Sequence, residues 1–253
     1  MTDLPAGYRP VTGPGAWAFA VPELTVWVEA TVRDTTLHEW AEDRARSTLA
    51  GRGPVHVAEV AGEDRAVRHY FRGGAVAVVL GDRYLRLGVP RPVRELRASV
   101  AARERGVPTP RVVAGAVYPT GLFYRADLVT DYVADSRDLA AVLFGDEDDD
   151  TRRTALVATG ELVGRMAAAG LRHPDLNARN VLLTPSDGGL RALLLDLDRC
   201  SVEPARRPTP ALAMLARLRR SLAKLAAARG AVGPSREELE LLEATAVSAG
   251  GRA

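Results

Sequence analysis

Lysine is almost missing from this chain of 253 residues: Lys224 is the only one, and nearly all the positive charge is carried by arginine. A G-x-x-x-x-G-K-[ST] phosphate loop needs a lysine directly after its glycines, so that kind of nucleotide site is excluded. No G-x-G-x-x-G opens a helix, which removes the dinucleotide fingerprint as well. Cysteine is equally scarce. Cys200 stands alone, so an intramolecular disulfide is impossible and a secretory disulfide framework is ruled out. No apolar run approaches the roughly 18 residues needed to span a bilayer, and residues 1–10 lack the basic-then-apolar order of a secretion signal. A cytoplasmic protein is expected, one able to touch a membrane surface. No His/Cys/Asp cluster shows metal-ligand spacing, so no structural zinc is expected. A formal net charge of +2 is too small to announce nucleic-acid binding.

What is present is an ordinary globular composition, 47% hydrophobic and 26% charged, long enough for one large domain or two lobes. The first fifty residues are Pro/Gly-rich, then partly alternating over 24–32, then polar and helical over 36–49. Residues 55–60 and 65–71 alternate around a turn at 61–64 and read as a hairpin. A short apolar segment follows at 75–80. Residues 92–105 read as a helix with proline in its first turn and Gly106 just past its end. Strands are expected at 112–117 and 123–133. A long helix at 151–169 stopped by Gly170 comes next, then strands at 181–184 and 190–195, and helices at 209–229 and 235–246. Strands first and helices later predict an α+β, two-lobed, protein-kinase-like fold. Its mainly β N-terminal lobe would cover 1–130 and its mainly α C-terminal lobe 131–253.

The most informative segment is His173-Pro174-Asp175-Leu176-Asn177-Ala178-Arg179-Asn180, followed after an apolar strand by Asp196-Leu197-Asp198. A carboxylate and a carboxamide separated by four residues, then a second carboxylate, is the spacing that phosphoryl transfer uses. One acid orients the attacking hydroxyl, and an Asn/Asp pair offers hard oxygens to magnesium on the nucleotide. Asp175 is the candidate catalytic residue; Asn180 and Asp196 are the candidate metal ligands. Singly, each residue could as well brace a turn; as a set they favour chemistry. His173 is expected to bond backbone near Asp196.

The strings H-P-D-L-N-A-R-N-V-L-L and L-L-L-D-L-D-R resemble the lipopolysaccharide kinase family, and within it the Kdo (3-deoxy-D-manno-octulosonic acid) kinases. The resemblance extends to the R-H-Y-F-R-G-G string at 68–74, to Arg94-Glu95-Leu96 and to residues 121–130 and 215–224, covering about 51–224. It implies ATP bound between the lobes and magnesium as cofactor. Gly51 and Gly53 would lie in the phosphate-covering loop, Arg68 would stand where most kinases place a lysine, and Glu95 would brace it. A plain hairpin turn and a surface ion pair remain the alternatives for these positions.

The implied acceptor is the Kdo residue of Kdo-lipid A, phosphorylated at its 4-hydroxyl on the cytoplasmic face of the inner membrane, with peripheral membrane contact. Another small-molecule or protein hydroxyl as acceptor, or a pseudokinase without chemistry, are the rival readings. The leucines of 211–228 fall at helical spacing among arginines. They suit a core helix of the large lobe better than a membrane-surface helix.

Overall fold

The computed structural model describes residues 3–49, 53–71, 81–203 and 207–251. Gly51 and the expected apolar segment 75–80 lie outside them. The chain forms two compact units, Met1–Arg97 with Arg111–Tyr132, and Ala98–Pro110 with Val133–Ala253. It passes between them after Arg97, Pro110 and Tyr132, where the sequence suggested one boundary near residue 130.

The first unit is built on an antiparallel sheet. Its strands are β1 (Arg9–Gly13), β2 (Ala16–Ala20), β3 (Ser47–Leu49), β4 (Val55–Val60), β5 (Glu63–His69), β6 (Tyr84–Leu85), β7 (Val112–Thr120) and β8 (Phe123–Asp131). They lie in the order β1-β2-β7-β8-β5-β4-β3, with β6 also on β8. The β4–β5 hairpin needs only two turn residues, Ala61 and Gly62, at φ 55° and 82°. Both positive values mark the primed turn whose twist suits paired strands, so Glu63 and Asp64 belong to the ladder and not to the turn.

The alternation at 24–32 is not a strand. It is helix α1 (Thr25–Asp34), which buries Val28, Thr31 and Val32 at i, i+3 and i+4. The polar stretch at 36–49 is helical only over α2 (Leu37–Glu42), and Ser47–Leu49 turns out to be strand β3. Thr36 and Glu39 form a reciprocal capping box that fixes where α2 begins. Leu37 and Ala41 of α2 join Leu24, Val28 and Val32 in the core against Ala58, Val67 and Val129 of the sheet.

Behind α2 sits a buried polar knot. Asp127 is fully buried and accepts from Tyr118 Oη at 2.8 Å, the His38 backbone N–H at 3.0 Å and His69 Nδ1 at 2.6 Å. Burial alone would lower His69, but the hydrogen bond and charge of Asp127, then Asp82, hold it above the ordinary imidazole value.

Helix α3 (Arg91–Glu104) begins in the first unit and ends in the second, stopped by Gly106 at φ 77°. The second unit is mainly helical: α4 (Leu139–Leu143), α5 (Asp149–Ala168), α6 (Ala211–Arg229) and α7 (Arg236–Gly250). Its strands are β9 (Arg137–Asp138), β10 (Leu171–Arg172), β11 (Val181–Ser186), β12 (Gly189–Leu194) and β13 (Ser201–Val202), in two small sheets ordered β12-β11-β9 and β10-β13. Helix α5 is the axis of this unit, about 30 Å long at 1.5 Å per residue. It is capped by Asp148 and buried at ten of its positions from Ala155 to Ala167. Met214, Leu215, Leu218 and Leu222 of α6 point into the same core, while Leu212 near its start is exposed. Among the described residues no helix is long and apolar enough to cross a membrane.

Glycines 160 and 164 let α7 lie directly on α5. A Cβ at Gly164 would come 2.5 Å from the Ala246 carbonyl oxygen and 2.6 Å from the Ala249 Cβ; one at Gly160 would come 2.8 Å from the Leu242 carbonyl oxygen. Those neighbours are backbone or stubs and have no freedom to swing aside. Gly164→Val is therefore expected to cost about 1–3 kcal/mol through overpacking. Gly188→Ala, where a Cβ meets open space, should stay within about 0.5 kcal/mol of wild type. Chemical denaturation of both variants checks the contrast.

Candidate active site

In the second unit the loop between β10 and β11 and the turn after β12 are stitched together by one histidine. His173 is 2% exposed, with Nδ1 3.2 Å from the Asp175 backbone N–H and Nε2 3.4 Å from the Leu195 carbonyl oxygen. Since a backbone N–H only donates and a carbonyl only accepts, Nδ1 is the acceptor and Nε2 carries the proton. Burial holds this imidazole below its ordinary value despite Asp196 and Asp175 nearby, which suits a neutral brace. A second stitch runs from the Leu195 N–H to the Asn180 carbonyl at 2.9 Å. The three candidate residues Asp175, Asn180 and Asp196 are thus tied to a single backbone frame.

Each is presented differently. Asn180 is 8% exposed and closes the short 3-10 turn Ala178–Asn180, which Asn177 caps by accepting from the Arg179 N–H at 3.0 Å. Its Nδ2 faces the Asp175 carbonyl at 3.5 Å, leaving Oδ1 as the free end of the amide for a ligand. Asp196 sits in the left-handed region at φ 61°, ψ 61°, at the point where β12 gives way to the 3-10 turn Leu197–Arg199. A non-glycine residue held there costs of order 1–2 kcal/mol, the kind of strain found where a side chain must be aimed. Hard oxygen donors on Asn180 and Asp196 fit magnesium, a cation that takes oxygen ligands and keeps part of its water.

Asp175 is gripped by arginines. Arg199 pairs with its Oδ2, and Arg217 reaches its Oδ1 at 3.3 Å. The sequence places Arg199 three residues beyond Asp196 and gives it no partner. It gave no sign of Arg217, which arrives from α6, 42 residues further along. Beside them a cavity of about 330 Å³ is lined by Arg172, His173, Pro174, Met214, Arg217 and Arg220 among others. Three guanidinium groups give this recess a positively charged lining, with Arg217 also paired to Asp175.

The first unit holds the remaining candidates. Arg68 on β5 pairs with Glu95 on α3, and the pair is not a surface one: the Glu95 side chain is 5% exposed and that of Arg68 25%. Tyr70, present in the 68–74 string but given no role there, completes the arrangement. Its hydroxyl donates to Glu95 at 2.6 Å while the Arg68 guanidinium lies 4.5 Å from its ring centroid. Gly53 packs under the Phe71 ring, where any Cβ would overlap the aromatic carbons. Gly51 lies outside the described residues.

The lipopolysaccharide kinase (Kdo/WaaP) family model matches residues 39–237. The 3-deoxy-D-manno-octulosonic acid kinase of Xanthomonas oryzae pv. oryzae is 36% identical over 230 residues, 88% of this chain and 86% of that protein. That of Xanthomonas axonopodis pv. citri is 36% identical over 245 residues, 94% and 90% of the two chains. A more distant relative of the same name, from Haemophilus influenzae, is 29% identical over 171 residues, covering 65% of this chain and 70% of its own. Among solved structures, WaaP in complex with acyl carrier protein superposes with a TM-score of 0.56 at 20% identity, over 95% of this chain and 89% of that one. This last likeness speaks for the kinase-like α+β fold. With motif, fold and sequence in agreement, the chain belongs to the lipopolysaccharide kinase (Kdo/WaaP) family and is an ATP-dependent phosphotransferase.

Proposed function

We propose that this kinase transfers phosphate from ATP to the 4-hydroxyl of Kdo on Kdo-lipid A, with magnesium on the nucleotide, at the cytoplasmic face of the inner membrane. The observation that carries the reading is the arginine-lined recess directly beside Asp175. An acidic sugar on a phosphorylated glycolipid presents carboxylate and phosphate oxygens, and planar guanidinium forks bind such groups with paired, charge-assisted hydrogen bonds. Relatives named for the Kdo kinase reaction at 36% identity support the same acceptor.

The residues divide the work. Asp175 accepts the hydrogen bond of the attacking hydroxyl and aims it; a loose transition state asks for orientation more than for a strong base. Arg199 and Arg217 hold that carboxylate in place. Asn180 Oδ1 and the Asp196 carboxylate would hold magnesium, which supplies neutralising charge to the phosphates when bound. Arg68, fixed by Glu95 and Tyr70, offers a permanent positive charge to phosphate oxygens where a lysine is commoner. Gly53 would lie along the phosphates. Arg172 and Arg220 receive the anionic groups of the acceptor.

Incubating the purified chain with ATP, magnesium and Kdo-lipid A, and mapping the product by phosphorus NMR, tests the assignment. One phosphate on the 4-hydroxyl is expected; transfer only to some other acceptor overturns it. Asp175→Ala should lower kcat by about 10²–10⁴-fold with circular dichroism unchanged. Chelation by EDTA should abolish transfer, and added magnesium should restore it. The Arg172→Ala, Arg220→Ala double variant should raise KM for Kdo-lipid A by about tenfold or more while leaving KM for ATP alone, as expected when charge-assisted contacts to one substrate are lost.

A further inference from the structure

Three of the four histidines gather in the first unit, at the meeting of α2 with β4 and β5. The ring centroids of His38 and His56 are 4.7 Å apart, and those of His38 and His69 are 5.6 Å apart. His38 and Glu42 stand at i and i+4 on α2, hence on one face of it, and His56 faces them from β4. One ligand atom from each of His38, Glu42 and His56 falls within 4.8 Å of the others.

The hydrogen bonds around these side chains leave the ligand atoms available. His56 Nδ1 is 3.1 Å from the Thr48 hydroxyl, and its Nε2 is buried with no hydrogen-bond partner, although the residue is only 4% exposed. A buried ring nitrogen without a partner is costly unless something occupies its lone pair. His38 Nε2 lies 3.3 Å from the Pro54 carbonyl. A carbonyl can only accept, so that nitrogen is the protonated one and Nδ1 keeps its lone pair. His69 is excluded as a ligand, because Asp127 and Asp82 engage both of its ring nitrogens.

We propose that His38, Glu42 and His56 form a binding site for a divalent transition metal of the zinc class, which clamps α2 onto β4. Two imidazole nitrogens and one carboxylate oxygen are a donor set that zinc takes readily, with a fourth position left for water. Thr48 and Pro54 act as the outer partners that fix each ring's tautomer, as surrounding groups commonly do for metal-bound histidine. Ligand atoms around tetrahedral zinc stand about 3.4 Å apart, given metal–ligand bonds near 2.0–2.1 Å. The set must therefore close by about an ångström, and the exposed Glu42 side chain is free to make most of that movement. Spacing along the chain gave no warning, since the third ligand comes from a strand beyond β3 and not from a near neighbour on the helix. The expectation of no structural zinc rested on spacing along the chain, whereas the proposed ligand set is brought together by the fold.

The test uses the untagged full-length chain, stripped with chelator and titrated with zinc by calorimetry, then with cobalt(II) by visible absorption. One zinc per chain is expected, with the intense ligand-field bands of tetrahedral cobalt and a higher Tm for the loaded protein. The exposed position makes Glu42→Gln the safer variant for folding, and it should weaken zinc binding by about tenfold or more; His56→Gln should remove the tetrahedral cobalt bands. Asp196→Asn should leave both signals intact, which separates this site from the magnesium ligands proposed above. Zinc binding that is undetectable, or equally tight in wild type and Glu42→Gln, would overturn the proposal.

Discussion

The backbone frame that carries Asp175, Asn180 and Asp196 depends on one buried histidine, His173. His173 accepts from the Asp175 N–H with one nitrogen and faces the Leu195 carbonyl with the other. It thereby spans the loop that carries Asp175 and Asn180 and the turn that carries Asp196. Were it charged, both ring nitrogens would donate and the Asp175 N–H would lose its acceptor. Burial opposes that charge. The constraint is thus electrostatic in origin and geometric in effect: a dry pocket keeps one proton off a ring, and the ring keeps two loops in register.

Around that frame the cationic side chains are arginines. Arg68 is fixed from two directions, by the Glu95 carboxylate and by the face of Tyr70. Arg199 and Arg217 converge on Asp175 from a tight turn and from a helix of the second unit. A guanidinium suits such duty because its planar fork engages a carboxylate or a ring face while keeping other N–H groups for a substrate. An ammonium is a point charge and would have to choose. The scarcity of lysine in the composition and the design of the site are consistent with each other.

Much of this was legible in the sequence, for reasons that can be named. Helices α3, α5, α6 and α7 carry their own punctuation, with proline, Asp148 or Ser235 at the start and Gly106, Gly170 or Gly230 past the end of the first three. The loop residues Asp175 and Asn180 were readable because their spacing is local. What stayed hidden depends on partners distant in sequence. Arg217 meets Asp175 only because α6 packs on the core, and Tyr70 matters only once α3 brings Glu95 to it. The β1–β2 hairpin was obscured by its prolines and glycines. Helix α1 was not legible because a short run of Val, Thr and Trp matches a period of two nearly as well as one of 3.6, and only packing against the sheet decides.

The left-handed backbone at Asp196 has a consequence for how this protein balances endurance against activity. A glycine at that position would adopt the same dihedral angles without the steric penalty of a Cβ. The fold therefore keeps a residue that weakens it slightly in a place where a smaller one would serve the architecture better. Under the magnesium role proposed for Asp196, robustness and turnover pull in opposite directions at this single residue, and engineering for heat tolerance that is blind to chemistry would be drawn to it.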